Sequence, residues 1–230
     1  MSNYQANLSP IQLIKDGLEL VKDQFWLFLG ITIVGFIIGE VSFGICAGAM
    51  LCGIFLCYFK KMNGDAVTFD LLFKGFDYFV EGLIAILIIA VCCMVIVIPF
   101  WILLFLIGMV LGSDGGAIVG VLALLFYVIL AVLILAIYAL TAFTFPLIVD
   151  RNMKAMAAIK LSISAGKANL VPLILLFLLL GILTGIGTVL CVIPGLCMYP
   201  ISFGAIAIAY RQVFGDGHSA SGSAPPPPPA

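Results

Sequence analysis

The chain has 230 residues, of which 64% are hydrophobic and only 9% are charged, and its formal net charge is −1. Soluble domains carry roughly 45–50% apolar and about 25% charged residues, so this composition leaves too little polar surface for a water-soluble protein. The near-neutral charge gives no basic surface, and we expect no nucleic-acid partner. The composition predicts an all-α integral membrane protein whose first partner is the lipid bilayer.

The first 24 residues are polar and mixed in charge. They lack the basic start, short apolar core and small-residue cleavage site of a secretion signal, so we expect the first hydrophobic segment to stay in the mature protein. Ser9 can cap a helix, and Pro10 suits its first position. Residues 1–24 are therefore predicted to hold a cytoplasmic amphipathic helix, over residues 10–23.

Residues 25–214 are predicted to form a six-helix membrane domain of three helical hairpins. Each hairpin follows a short interfacial helix, in which polar and apolar residues lie on different faces. The interfacial helices are predicted at residues 10–23, 69–81 and 153–167. In the second, Asp70, Lys74, Asp77 and Glu81 form a polar stripe. The paired spans are predicted at residues 25–39 and 44–59, 82–111 and 117–149, and 170–193 and 195–210. Their turns are predicted at residues 40–43, 112–116 and 194–195, and Pro99 and Pro146 are candidates to kink the long second pair.

The first and third hairpins share a sequence pattern. Residues 44–65 align without a gap with residues 195–216. The identical pairs are Gly44/Gly195, Cys46/Cys197, Gly53/Gly204, Gly64/Gly215 and Asp65/Asp216. Together with the repeated order of features, this predicts three pseudo-repeats, at about residues 9–65, 67–149 and 153–216.

The ten basic residues fall on one side of a six-span arrangement. They are Lys15, Lys22, Lys60, Lys61, Lys74, Arg151, Lys154, Lys160, Lys167 and Arg211. Basic residues concentrate on the cytoplasmic side of membrane proteins. We therefore predict a multi-pass protein of the cell membrane with both termini in the cytoplasm.

Residues 215–230 contain small residues followed by five consecutive prolines, and we predict a disordered tail. The prolines favour a polyproline II helix, which some aromatic-lined modules bind. A cytoplasmic end without a partner is the simpler interpretation.

Few residues suit catalysis or cofactor binding. All seven cysteines lie in apolar segments and the single histidine, His218, lies in the tail, so the cysteines are interpreted as small hydrophobic residues rather than a metal or redox site. The sequence contains no phosphate loop and no evident nucleophile–base pair. Glu40 is the nearest candidate for a charge inside the membrane, but its place in a turn predicts solvent exposure. We expect no enzyme, no cofactor and no bound metal.

Residues 146–169 read PLIVDRNMKAMAAIKLSISAGKAN. This stretch resembles one found in a broad group of uncharacterised bacterial six-helix membrane proteins, and it is similar to the membrane domain fused to some glycerophosphodiester phosphodiesterases. The matching residues are Pro146, Asp150, Ala158, Ser162, Lys167 and Asn169. The resemblance implies a bacterial cytoplasmic membrane and a structural role for these residues. It implies no hydrolase activity, because the phosphodiesterase carries its chemistry in a separate soluble barrel that is not in these 230 residues.

Lys154, Lys160 and Lys167 are candidates to anchor the third interfacial helix to lipid headgroups, at about 1 kcal/mol each. We expect a non-enzymatic membrane protein that acts as a scaffold or as an accessory to another membrane system, with other membrane proteins or a second copy as further candidate partners. The alternative is a transporter or channel for a small or lipidic substrate, because many transporters contain internal repeats. A membrane-embedded enzyme ranks third.

Overall fold

The computed structural model describes residues 4, 6, 8–111, 116–190 and 192–215, and within these ranges the chain is helical and contains no strand. The α-helices are α1 (Pro10–Val21), α2 (Phe25–Val41), α3 (Ala47–Met62), α4 (Phe79–Leu111), α5 (Gly116–Thr141), α6 (Thr144–Arg151), α7 (Ala155–Ala168), α8 (Leu170–Leu190) and α9 (Val192–Phe214). Two 3₁₀ helices, Lys22–Gln24 and Phe69–Tyr78, precede α2 and α4. Most of the turn predicted at residues 112–116, Cys191 and the predicted tail from residue 216 onward lie outside the described residues.

Five helical stretches of the described chain are long and apolar enough to cross a membrane. They are Pro10–Val41, Phe69–Met109, Gly120–Arg151, Leu170–Leu190 and Ile193–Phe214. The all-helical class with several membrane-length helices is thereby confirmed. The sequence predicts six spans, however, and α3 is not among the five because it has only 16 residues, whereas a span needs about 20.

In the first unit, α1 and α2 begin where the sequence predicts them. Pro10 occupies the first position of α1, although the Ser9 hydroxyl makes no capping hydrogen bond. The Ser9 carbonyl oxygen instead accepts from the Leu13 N–H group at 2.9 Å. The chain turns between α2 and α3 through two left-handed residues, Phe43 with φ of 52° and Gly44 with φ of 83°. Glu40, in the last turn of α2, is exposed, as the sequence predicts.

The second interfacial helix differs from its prediction. Residues 69–78 wind as a 3₁₀ helix and α4 follows directly, so Glu81 belongs to the long helix. Three residues per turn place positions i and i+3 in one row, and this row carries the buried residues Leu72 and Gly75, which pack against α3. The polar stripe predicted from α-helical spacing does not form, because Asp70 lies in a different row from Lys74.

The helix predicted over residues 117–149 is broken. α5 ends at Thr141 and α6 begins at Thr144, so the helix is interrupted within a stretch, Gly120–Arg151, that is still long and apolar enough to cross a membrane. Pro146 does not kink this segment, because it is the third residue of α6, where its missing N–H group costs no intrahelical hydrogen bond. The break consists of residues 142 and 143, which directly precede α6.

The third turn is also misplaced by the sequence. Pro194 and Gly195, predicted as the turn, belong to the first turn of α9. A proline is tolerated in the first turn of a helix, because an N–H group there would have no intrahelical partner. Gly195 allows α9 to approach α8 closely, since a methyl group at this position would lie 3.0 Å from the Thr188 backbone nitrogen.

The packed core lies near the interfacial segments. Its largest fully buried side chains include Tyr58, Tyr210, Phe28 and Phe143. α4 buries Gly82 and Ala85 near its start, and α5 buries Ala139 near its end. Most of the large apolar side chains of α4 and α5 between these points are exposed, as residues that face lipid would be.

Candidate functional site

Three helices, α3, α6 and α9, end in the same way. A residue in the left-handed region follows each within two positions: Gly64 with φ of 81° comes one residue after the end cap of α3, and Asn152 with φ of 48° and Gly215 with φ of 71° directly follow α6 and α9. Glycine and asparagine adopt this conformation at low cost, and it allows the last helical carbonyl groups to be satisfied. The Gly215 N–H group, for example, donates to the Arg211 carbonyl oxygen at 2.8 Å.

Polar side chains join the ends of α6 and α9. The Tyr210 hydroxyl donates to the Asp150 carboxylate at 2.7 Å. The Arg151 guanidinium donates to the Phe214 carbonyl oxygen at 3.0 Å, and its central carbon lies 5.3 Å from the centre of the Phe214 ring, within the range of a cation–π contact. Asp150, one of the predicted motif residues, therefore acts as a hydrogen-bond acceptor between two helices.

The end of α3 belongs to the same assembly. Arg211 donates to the Asn63 side-chain oxygen, and its guanidinium carbon lies 5.9 Å from the Phe59 ring centre. The Phe59 and Tyr210 ring centres are 5.4 Å apart. We call this group the helix-end cluster; its members are Phe59, Asn63, Asp150, Arg151, Tyr210, Arg211 and Phe214.

Ser162 in α7 forms hydrogen bonds with backbone groups on both sides of the break between α5 and α6. Its hydroxyl donates to the Leu140 carbonyl oxygen at 2.8 Å and accepts from the Phe143 N–H group at 3.2 Å, and the side chain is fully buried. A helix break frees backbone groups that must find other partners. Ser162 supplies one donor and one acceptor, so the break depends on a residue from another helix.

Small residues allow α7 to pack closely on the other helices, and one carboxylate binds its first turn. Ala158, a motif residue, is fully buried, and a methyl group on Gly166 would lie 2.8 Å from the Leu140 Cα atom. At the start of α7, the Glu81 carboxylate accepts from the Ala155 N–H group at 2.6 Å. A negative charge is favourable at this end of a helix because of the helix dipole.

Asn169 fixes the segment that precedes α1. Its side-chain amide donates to the Tyr4 carbonyl oxygen at 2.6 Å and to the Ala165 carbonyl oxygen at 3.0 Å. Its side-chain oxygen accepts from the Ala6 N–H group at 3.0 Å. With only 2% of its surface exposed, Asn169 bonds the backbone groups of Tyr4 and Ala6 as a neighbouring strand would.

The predicted site residues thus separate into two groups. Pro146, Asp150, Ala158, Ser162 and Asn169 are built into helix starts or contacts between elements. The three predicted headgroup-anchoring residues, Lys154, Lys160 and Lys167, are exposed on the outside of the protein.

Sequence reasoning missed the partners that the motif residues contact. Tyr210 lies 60 residues from Asp150 along the chain, and Leu140 lies 22 residues from Ser162, and no sequence signal points to either contact. The end of α6 could have been found, because asparagine directly after a basic residue is typical of a helix C-terminus.

The described residues offer little reactive chemistry. Among them, no group of three or more histidine, cysteine or acidic residues could hold a metal ion. Cys52 and Cys57 are buried free thiols, and Cys92 is an exposed one. A cavity of about 10 Å³ between α4 and α5 is lined by apolar and aromatic residues, namely Phe100, Trp101, Leu104, Phe126, Tyr127 and Leu130.

Comparisons of this chain with family models, with curated proteins and with solved structures find no match.

Proposed function

We propose that the chain is a non-enzymatic integral membrane protein that acts as a scaffold or as an accessory to another membrane system. The observation that carries this proposal is the use of its polar side chains. Ser162, Asn169 and Tyr210 each bond one element of the bundle to another. Groups occupied in this way stabilise the assembly of helices and are not free to bind a substrate.

Three close contacts between helices support the prediction that the protein consists of three pseudo-repeats. Gly17 of α1 packs on α9, Gly75 of the 3₁₀ helix packs on α3, and Gly166 of α7 packs on α5. A methyl group on Gly17 would lie 2.8 Å from the Ile201 carbonyl oxygen, and one on Gly75 would overlap the Ala49 carbonyl oxygen. In each case the interfacial segment of one unit meets the second long helix of another. We propose that the three units close into a ring in which α9 packs on α1.

We further propose that α3 is the sixth span. Its 16 residues extend about 24 Å, which is short of the hydrocarbon thickness of about 30 Å. Lys60 and Lys61 lie in its last turn, and lysine side chains are long enough to reach the headgroups from a short helix. With α3 included, the pairs α2–α3, α4–α5 and α8–α9, each in contact, form the three hairpins.

An exposed tryptophan is consistent with α2 beginning at a membrane surface. Trp26, at the start of α2, is 80% exposed. Tryptophan favours the membrane–water interfaces, so Trp26 supports an interface at the start of α2.

Six spans would place all ten basic residues on one side of the membrane. The positive-inside rule then supports cytoplasmic termini. The resemblance to bacterial six-helix proteins favours the bacterial cytoplasmic membrane as the location.

Thiol labelling tests both the threading and the scaffold proposal. We expect a membrane-impermeant maleimide added outside intact cells to label Cys46, which lies beside the outer turn, and to leave Cys92 in the middle of α4 unlabelled until detergent is added. Single-cysteine variants allow each thiol to be read alone. Labelling of Cys92 in intact cells would indicate a water-filled path and contradict the scaffold proposal.

The alternative, a transporter or channel for a small or lipidic substrate, is favoured by one observation. The membrane-length stretch Gly120–Arg151 contains the break between α5 and α6, and broken helices form binding sites in many transporters. The Thr144 hydroxyl at this break is buried and makes no hydrogen bond. Movement of a solute or lipid across liposomes that contain the purified protein, and its loss in Thr144→Val, would establish this alternative in place of the scaffold.

A further inference from the structure

We propose that the outer face of α7 binds the headgroups of anionic phospholipids in the cytoplasmic leaflet. This inference rests on the proposed function, because it needs the chain in a bilayer with α7 on the cytoplasmic side. It adds a ligand class and a specific binding element to that function.

The outer face of α7 combines basic and apolar side chains. Lys160 and Lys167 are seven residues apart, which is two helical turns or about 10 Å along the axis, and both are exposed. Met156, 58% exposed, lies one turn before Lys160 on the same face, and Lys154 directly precedes the helix. A helix of this kind lies in the membrane interface with its apolar side chains at the acyl boundary and its ammonium groups among the headgroups.

Charge distinguishes α7 from the other two interfacial segments. Residues 154–168 contain three lysines and no acidic residue, which is a charge of +3. Residues 10–24 contain two lysines and three acidic residues, and residues 69–78 contain one lysine and two, which is −1 in each case. In the described part of the chain, Lys22 pairs with Glu19 at 3.0 Å, whereas no acidic side chain lies within ion-pair distance of Lys154, Lys160 or Lys167, nor of Lys15 or Lys74. The net charge of the segment is therefore what sets α7 apart. The basic face of α7 is therefore complementary to an anionic surface and not to the protein itself.

The opposite face of α7 fixes the helix in place. Ser162 bonds the break between α5 and α6, Gly166 lies against Leu140, and the first N–H group of α7 is held by Glu81. These contacts present the lysines on an ordered helix rather than on a free loop. Binding therefore costs less conformational entropy than it would for a flexible basic segment.

The test uses the full-length protein in a neutral detergent, titrated with short-chain phosphatidylglycerol, short-chain phosphatidylcholine or inorganic phosphate, with the rise in unfolding temperature as the readout. The variant is Lys154→Gln, Lys160→Gln, Lys167→Gln. The matched control removes the same number of lysines from the other two interfacial segments, as Lys15→Gln, Lys22→Gln, Lys74→Gln. If the first variant does not fold, the salt dependence of the wild-type protein and the arginine variant Lys154→Arg, Lys160→Arg, Lys167→Arg provide the readout.

We expect the wild-type protein to prefer phosphatidylglycerol, with a preference that weakens as salt is raised. The α7 variant should lose roughly a hundredfold of this preference, from about fivefold per lysine, while the control and the arginine variant keep it. Equal losses in the two glutamine variants, no loss in either, a salt-independent preference, or a response to inorganic phosphate equal to that for the lipid would each overturn the inference. Wild-type protein that is monodisperse in buffer without detergent would instead refute the membrane proposal itself.

Discussion

The Ser162 hydroxyl donates a 2.8 Å hydrogen bond to the Leu140 carbonyl oxygen, at the point where a membrane-length helical stretch is interrupted. The two residues belong to different proposed repeat units. The same hydroxyl accepts from Phe143 on the other side of the break. One side chain of α7 thus satisfies backbone groups at both ends of the interruption.

We expect Ser162→Ala to destabilise the protein by about 1–3 kcal/mol, because it leaves a buried donor and a buried acceptor without a partner. Thermal unfolding in detergent micelles measures the effect. Ser164→Ala is the control, since Ser164 is exposed on the same helix and should change stability little. Equal stability of the two variants would show that Ser162 does not support the break.

Two glycine substitutions should differ in their effect on the free energy of unfolding. Gly17→Ala should destabilise by about 1–3 kcal/mol, because its new methyl group would lie 2.8 Å from backbone atoms of α9. Gly185 in α8 has no neighbouring atom within 4 Å, and alanine favours a helix over glycine by roughly 1 kcal/mol, so Gly185→Ala should be neutral or stabilising. Unfolding of both variants under the same conditions provides the comparison. A Gly17→Ala variant as stable as the wild type would contradict the close packing of α1 on α9.

Asn169→Leu should release the segment before α1, because three hydrogen bonds to residues 4, 6 and 165 disappear. We expect the Ala6 amide to exchange its hydrogen roughly fivefold faster or more, from the loss of about 1 kcal/mol. Hydrogen exchange read by mass spectrometry tests this. Asn152→Gly is the control, since glycine also accepts the left-handed conformation of that residue. The same exchange rate in both variants would refute the role of Asn169.

Tyr210→Phe should cost about 1.5–3 kcal/mol, because the Asp150 carboxylate loses a charge-assisted hydrogen bond in the helix-end cluster. Tyr127→Phe is the matched control, since Tyr127 is exposed beside Trp101 and its change should remain within about 0.5 kcal/mol. Chemical unfolding of the two variants separates these outcomes. A cost no larger than that of the control would show that the cluster does not stabilise the bundle.

The sequence predicted long helices well and their interruptions poorly. α1 and α2 begin at or within a residue of their predicted positions, because composition and helical periodicity are local properties. The turn at Pro194 was misplaced because a proline marks a turn and the first turn of a helix equally well. Periodicity also could not distinguish the 3₁₀ winding of residues 69–78, where the close approach of Gly75 to α3 matters.

At the candidate site, the sequence likewise pointed to individual residues but not to their contacts. Ser162 and Asn169 were selected from a resemblance, without any indication of what they contact. Their roles depend on Leu140 and on Tyr4, which the sequence does not connect to them.

The sequence alone determined that this chain needs lipid around its long helices, because 64% of its residues are hydrophobic and only 9% are charged and water cannot solvate such surfaces. Only the tertiary structure decided where a helix breaks, which polar groups face each other and which lysines of the interfacial segments lack an acidic neighbour. The physical reason is that hydrophobic burial follows from the composition of each segment, whereas a hydrogen bond such as that from Tyr210 to Asp150 exists only after distant segments have packed.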